Sequence, residues 1–461
     1  MTESKGKKRR RHRNVEIEDT GGTGGRAPFF LLAFIPIVAT LLYGGSSTFA
    51  LLVIGPLLAV LGVAWAMRSW RLSEIAINVD PLLYPLLALI ALSLFQLLPL
   101  GSAGVPADIL SIPASNALTL DPYSTKIFIF RLLGYILFFA AALTFIDTEE
   151  RLRKLVSTLA IFGGVIAFAG IIQRLASPDA IYGMRPTPDA IPFGPYVNRH
   201  HFATLMVLLS GVVLSNLLGG AVARDKKLLF AIPLVLMAAA IVLTGSRGGV
   251  IAYLVTFSLC VAAHLRSGGR THLPLILGAG AFAVFIVFLV IFLGGADALL
   301  RSTGLQLAAD DISSGRLHFW SVAWQVFTSN PIFGAGLDAF GLAFTRFDTR
   351  NGMYRVEQAH NDYLQILADG GVVGFAIVAA FIVLLVRKGA SAFGDDEAVE
   401  YQRVTRVGAF AGCVGVLVHS FVDFPLRTAS NAFFFLLAAA MLAVPTFAEH
   451  RRRRSANGSA R

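Results

Sequence analysis

Long apolar runs, separated by short polar or basic segments, dominate this sequence. A run of about 20 such residues, coiled as a helix, crosses roughly 30 Å of hydrocarbon. About twelve spans of that length can be drawn, over residues 28–44, 48–67, 81–99, 126–147, 155–174, 201–222, 228–244, 248–265, 273–294, 366–386, 407–423 and 429–447. The middles of these runs carry almost no charge, and no internal repeat divides the chain. The pattern predicts an all-α, polytopic membrane protein of about 12 transmembrane helices.

Composition supports that class, since 56% of residues are apolar and only 15% charged, more oil than a soluble core can hide. A net charge of +11 raises the question of nucleic acid. The cations gather instead in the two tails and in short loops between apolar runs, so the expected partner is the lipid bilayer and no nucleic acid. Arg68 with Arg71, Arg224 with Lys226 and Lys227, and Arg266 with Arg270 fall on the side of both termini, which assigns that side to the cytoplasm. Residues 1–27 form a basic, disordered cytoplasmic tail, 28–448 the membrane domain, and 449–461 a second basic tail. No small-residue cleavage site follows the first run. Cys260 and Cys413 lie inside apolar runs and are read as packing residues.

The opposite side holds three long segments, 100–124, 175–199 and the largest, about 295–365, between spans 9 and 10. Within the last, Ser313 and Ser314 suit a helix N-cap, and the residues from Arg316 to Trp324 follow helical spacing. That helix is expected to stop at Asn330-Pro331, with Gly334-Ala335-Gly336 making a tight turn.

Polar residues near a bilayer point to function, because burying them without partners costs several kcal/mol. Three clusters qualify: Gly245-Ser246-Arg247-Gly248-Gly249 between spans 7 and 8, Arg316 on the loop helix, and His360-Asn361-Asp362-Tyr363 before the tenth span. Each has a plainer reading. Arg247 alone could snorkel to headgroups, His360 could precede an ordinary capped helix start, and Arg316 could be a surface charge.

Taken together, these clusters resemble the bacterial O-antigen ligase and polymerase superfamily. The resemblance rests on Gly245 to Gly249, Gly315-Arg316 followed by Trp320, Asn330-Pro331, Gly334 to Gly336, and His360-Asn361-Asp362-Tyr363-Leu364 before a Gly-Gly-containing span. Asn198-Arg199-His200-His201 resembles the family's asparagine-rich stretch, with His200 where relatives commonly carry a second asparagine. The resemblance covers about residues 190–385.

It implies a C-type glycosyltransferase fold in a bacterial inner membrane, multi-pass, with a periplasmic active site. The implied reaction is inverting, metal-independent transfer of a glycan from an undecaprenyl-diphosphate-linked oligosaccharide or polysaccharide to an acceptor hydroxyl, in O-antigen or exopolysaccharide assembly. Arg247 and Arg316 suit the diphosphate oxygens, since guanidinium binds such oxygens in bidentate fashion. His360 is the candidate base, with Asn361, Asn198 and Arg199 as further substrate-binding candidates. No cofactor and no metal are expected, and no Asp-x-Asp pair occurs in the external segments. The acceptor stays open between a growing glycan, lipid A core and protein, as does association with other polysaccharide-assembly proteins. The alternatives are a multi-span solute transporter, a protein O-oligosaccharyltransferase and a scaffold; uncharged span middles, Arg131 and His419 excepted, argue against the first.

Overall fold

The computed structural model describes residues 25–73, 77–101, 116–188, 190–266, 315–350, 356–393 and 399–447. The basic tails, apart from residues 25–27, the ninth expected span at 273–294, and Ser313 with Ser314 lie outside the described residues.

Apolar sequence becomes helix almost everywhere, because a backbone out of reach of water must satisfy its hydrogen bonds internally. The helices are α1 (Arg26–Leu41), α2 (Thr48–Leu72), α3 (Leu83–Gln96), α4 (Pro122–Phe145), α5 (Glu149–Ala176), α6 (Arg199–Leu218), α7 (Lys227–Leu243) and α8 (Arg247–Arg266), then α9 (Arg316–Ser329), α10 (Phe340–Phe347), α11 (Asp362–Ala392), α12 (Glu400–His419) and α13 (Ala429–Ala443). Among the described residues, seven helical segments, those of α2, α4, α5, α6, α7, α8 and α11, are long and apolar enough to cross a membrane. The helices α1, α3 and α13 are apolar but shorter, and α12 is more polar. The protein is therefore an all-α polytopic membrane protein.

Helix α6 is the axis of the bundle, buried on all sides from His201 to Asn216. Lipid offers no hydrophobic drive between helices, so close packing must supply the attraction, and small residues permit it. A Cβ at Gly211 of α6 would lie 2.8 Å from the Gly408 carbonyl oxygen and 2.8 Å from the Gly412 nitrogen of α12. That crossing fixes the start of α6 against the end of α12.

Helix α11 is interrupted at Gly371, whose φ of 61° and ψ of −161° are non-helical. The freed groups are recovered by the segment after α9. Val372 N donates to Pro331 O at 2.9 Å, while Ala335 N donates to Ala368 O at 2.8 Å and Gly336 N to Asp369 O at 3.0 Å. Gln96 of α3 joins them, its Nε2 donating to Asp369 O at 3.0 Å and its Oε1 accepting from Leu337 N at 2.9 Å.

Charges reinforce this seam. Arg427, in the short 3₁₀ turn Pro425–Arg427, reaches Asp338 at 2.7 Å and Asp369 at 2.9 Å, and Arg131 of α4 reaches Asp338 at 3.3 Å. Arg131, the charge that interrupts the fourth expected span, is thus an ion-pair partner.

One local expectation changes, and one feature is added. Helix α9 has Gly315 at its cap position, with φ 78° and no side-chain cap. The segment 175–199 contains a two-stranded antiparallel hairpin, β1 (Ala180–Ile181) and β2 (Arg185–Pro186), turned at Gly183 with φ 69°. Two paired residues per strand are too few to leave a period-2 signal in the sequence.

Asp369 has no exposed side-chain surface and holds a guanidinium, so its loss strands a buried charge. Asp369→Ala is expected to cost about 3–5 kcal/mol, read as a lower thermal midpoint of the protein in detergent. An unchanged midpoint contradicts the role given to this pair.

Candidate active site

Five chain segments converge at one end of the bundle. The first is the start of α6, where Asn198 occupies the cap and its Oδ1 accepts from His200 N at 2.8 Å. This cap is satisfied by a side chain, and the half-buried first turn presents Arg199 and His200.

The second is the α7–α8 turn. Gly245 takes φ 66°, and Ser246 Oγ accepts from Gly249 N at 3.1 Å, capping α8 so that Arg247 is its first residue. Ser246 Oγ is also hydrogen-bonded to His200 Nδ1 at 2.8 Å and lies 3.4 Å from His419 Nε2, with His419 Nδ1 2.7 Å from Thr204 Oγ1. One hydroxyl therefore ties three helices together beneath the site.

Arg316, the first residue of α9, and His360, in the turn before α11, supply the third and fourth segments. His360 has φ 52°, a left-handed conformation uncommon outside glycine. Its carbonyl accepts from Trp320 Nε1 at 3.4 Å, and its ring stacks on Phe319 at 5.6 Å and meets Phe424 edge-on at 4.7 Å. Such strain persists where surroundings over-determine it, often at functional sites. Asn361 caps α11, its Oδ1 accepting from Tyr363 N at 3.0 Å and Leu364 N at 3.1 Å.

The fifth segment is the turn after α12, which carries Asp423 with a side chain 1% exposed. Arg316 lies 3.6 Å from its Oδ2, His201 Nε2 3.5 Å and His360 Nδ1 3.9 Å from its Oδ1. His201 is held in turn by Thr428 Oγ1 at 2.6 Å from its Nδ1 and by the edge of Phe424 at 4.7 Å.

A cavity of about 420 Å³ opens among these segments. Asn198, Arg199, His200, Arg247, Arg316 and His360 all line it, with Ser246 and His419 at its wall. Every substrate-binding and catalytic candidate read from the sequence meets here except Asn361, whose side-chain oxygen is occupied by its cap and which does not line the cavity.

Electrostatics follow from burial. Burial lowers His360 from its ordinary 6.5 to about 4; Asp423 opposes that shift and Arg316 adds to it. Burial alone would raise Asp423, but the hydrogen bond and charge of His201, with His200 and His419 nearby, hold it well below the usual carboxylate range. The site thus combines a fixed anion, a neutral imidazole and guanidiniums facing one cavity. That arrangement can bind an anion and accept a proton.

His200, His419 and Asp423 also place donor atoms within 4.8 Å of one another, a group able to hold a cation among the described residues. Arg316 contacts the same carboxylate, and Arg247 stands close enough to act on Arg316. Both cations disfavour a metal there.

Asp423, His201 and Ser246 were not among the candidates. For Asp423 a signal existed: a carboxylate within the apolar stretch 407–423 is costly without a purpose. His201 and Ser246 lie in the motifs at 198–201 and 245–249 that carry the resemblance, but were not picked out as site residues.

A family model described as O-antigen ligase matches residues 232–379, a stretch that contains Arg247, Arg316 and His360. The match bears out the resemblance to the O-antigen ligase and polymerase superfamily. No curated protein matches the chain.

The depressed His360 value has a checkable sign. The unfolded chain takes up a proton near 6.5 and the folded one near 4, so stability falls as pH drops through that window. In an NMR titration of labelled histidine, the His360 signal should move near pH 4 and lower still in Asp423→Asn. A midpoint at or above 6.5 contradicts this electrostatic picture.

Proposed function

We propose, with the O-antigen ligase match as premise, that this protein transfers a glycan from an undecaprenyl-diphosphate donor to an acceptor hydroxyl at the periplasmic face of the inner membrane. The observation that carries this reading is the meeting of Arg247, Arg316 and His360 at one cavity, although they start three separate chain segments.

The chemistry needs two things. A diphosphate must leave the anomeric carbon, and an acceptor oxygen must lose its proton as it attacks. Guanidiniums fixed beside the leaving oxygens stabilise the charge that develops on them, and in a site shielded from water that attraction is strong. Arg247 and Arg316 take that role, with Arg199 and Asn198 lining the same cavity for phosphate or sugar hydroxyls.

His360 takes the acceptor proton. Its Nδ1 faces Asp423, leaving Nε2 for the acceptor. Once protonated, the ring is stabilised by the carboxylate 3.9 Å away, a separation that can close in the reacting complex, where catalytic hydrogen bonds tighten. The acceptor oxygen bonds to the anomeric carbon, the bond to the diphosphate breaks, and the lipid diphosphate leaves with its electron pair. Attack from the face opposite the leaving group inverts the anomeric centre.

Two guanidiniums supply the charge a divalent cation would otherwise supply, so the reaction is proposed to be metal-independent. A ligase and a polymerase share this step and differ in acceptor. The alternating basic loops support a reading with both termini in the cytoplasm and this cavity on the other side.

The test uses purified protein with a lipid-diphosphate glycan donor. His360→Ala and Arg247→Ala are each expected to lower turnover by about a hundred-fold or more while donor accumulates, and a chelator should leave wild-type turnover unchanged. Normal turnover in both variants sinks the assignment of the site. Loss on chelation that added magnesium or manganese restores sinks metal independence.

A further inference from the structure

The five non-glycine residues with positive φ among the described residues include His360 at the cavity and Asp338 at the charged seam. Two others, Tyr43 with φ 58° and Tyr182 with φ 56°, come together in space. A bulky side chain held left-handed is strained, and such outliers gather at ligand clamps. The rings lie 6.0 Å apart at 54°, and the Arg185 guanidinium sits over the Tyr43 ring, 4.5 Å from its centre. Tyr182, Met184 and Arg185 are exposed.

The segment that carries Arg185 leads on to the cavity wall. Thr187, just beyond β2, donates its hydroxyl to the carbonyl of Ala190, a cavity-wall residue, at 3.1 Å. Tyr43 precedes Gly44, which packs on Thr428, and Thr428 is hydrogen-bonded to His201 below the site. Both sides of the patch are thus connected to residues of the site.

We propose that Tyr43, Tyr182 and Arg185 form a saccharide-binding subsite that holds glycan units beyond the one reacting in the cavity. The proposal rests on the glycosyl-transfer reading. Its chemistry is that of sugar recognition: the C–H face of a pyranose stacks on an aromatic ring, and the guanidinium edge donates to hydroxyls or to a sugar carboxylate. An aromatic anchor at a membrane interface keeps one end in the headgroups and the other in lipid. Here the Tyr182 hydroxyl is instead turned back to donate to Leu41 O at 2.7 Å, which fixes the ring as a platform. The Tyr182 platform, beside the Arg185 cation stacked on Tyr43, suits an extended glycan, and linked occupation of cavity and patch makes longer chains bind more tightly.

The experiment titrates full-length protein in lipid nanodiscs with glycan released by mild acid from the producing cells' surface polysaccharide. Single repeat units are compared with chains of several. The longer chains should bind wild type about tenfold more tightly, and Tyr182→Ala and Arg185→Ala should erase that advantage while single-unit binding is unchanged. Tyr182→Phe, which keeps the ring but loses its hydrogen bond to Leu41 O, should retain part of the advantage. Equal binding of both lengths to wild type overturns the subsite, as does an advantage that survives both alanine variants. Free glycan binds without turnover, so these outcomes are separate from an active His360→Ala, which would instead overturn the transfer reading.

Discussion

A single buried carboxylate sets the organisation of the cavity. Asp423, almost without exposed surface, is within 4 Å of His201, Arg316 and His360. An isolated charge in that position would cost several kcal/mol, so the groups around it must be those that compensate it. The same charge holds Arg316 toward the cavity and opposes the burial that lowers His360. A base and a cation from distant parts of the chain are thus referred to one point.

Holding that point takes the rest of the bundle. Glycines at the crossing of α6 and α12 bring His201 and Asp423 together, since a side chain at Gly211 would strike the α12 backbone. The interruption of α11 at Gly371 lets the segment after α9 pair its backbone with the membrane-spanning helix, which anchors the helix carrying Arg316 to the one that follows His360. Arg427 then ties Asp338 and Asp369 to the turn that carries Asp423. Two guanidiniums, Arg427 and Arg131, balance the two carboxylates and keep this seam tolerable in a low dielectric. The proposed transfer depends on that rigidity, because a base and two phosphate clamps act only at fixed separations.

Much of this was legible in the sequence, for identifiable reasons. Apolar runs foretold helices, and among the described residues seven helical segments are long and apolar enough to cross a membrane, because a membrane leaves the backbone few alternatives. Arg247, Arg316, His360, Asn198 and Arg199 stood out as polar groups at run ends, and all line the cavity. Asp423 did not stand out, because window averaging absorbed one carboxylate into an apolar stretch that in fact ends at His419. The break at Gly371 was hidden for a related reason. A Gly-Gly pair marks a weak point, but the loop that repairs the missing hydrogen bonds lies about thirty-five residues upstream. Asn361 shows the opposite case, a polar residue whose proximity to His360 in sequence reflects capping of α11 and not a place in the cavity.

The central claim is that Asp423 acts through His360, not beside it. A double-mutant cycle on turnover of lipid-diphosphate donor, using Asp423→Asn, His360→Gln and the pair in purified protein, tests it most directly. Coupled groups should be strongly non-additive, with the double variant scarcely slower than His360→Gln alone. Losses that simply multiply would show that the two side chains act independently and would contradict the account.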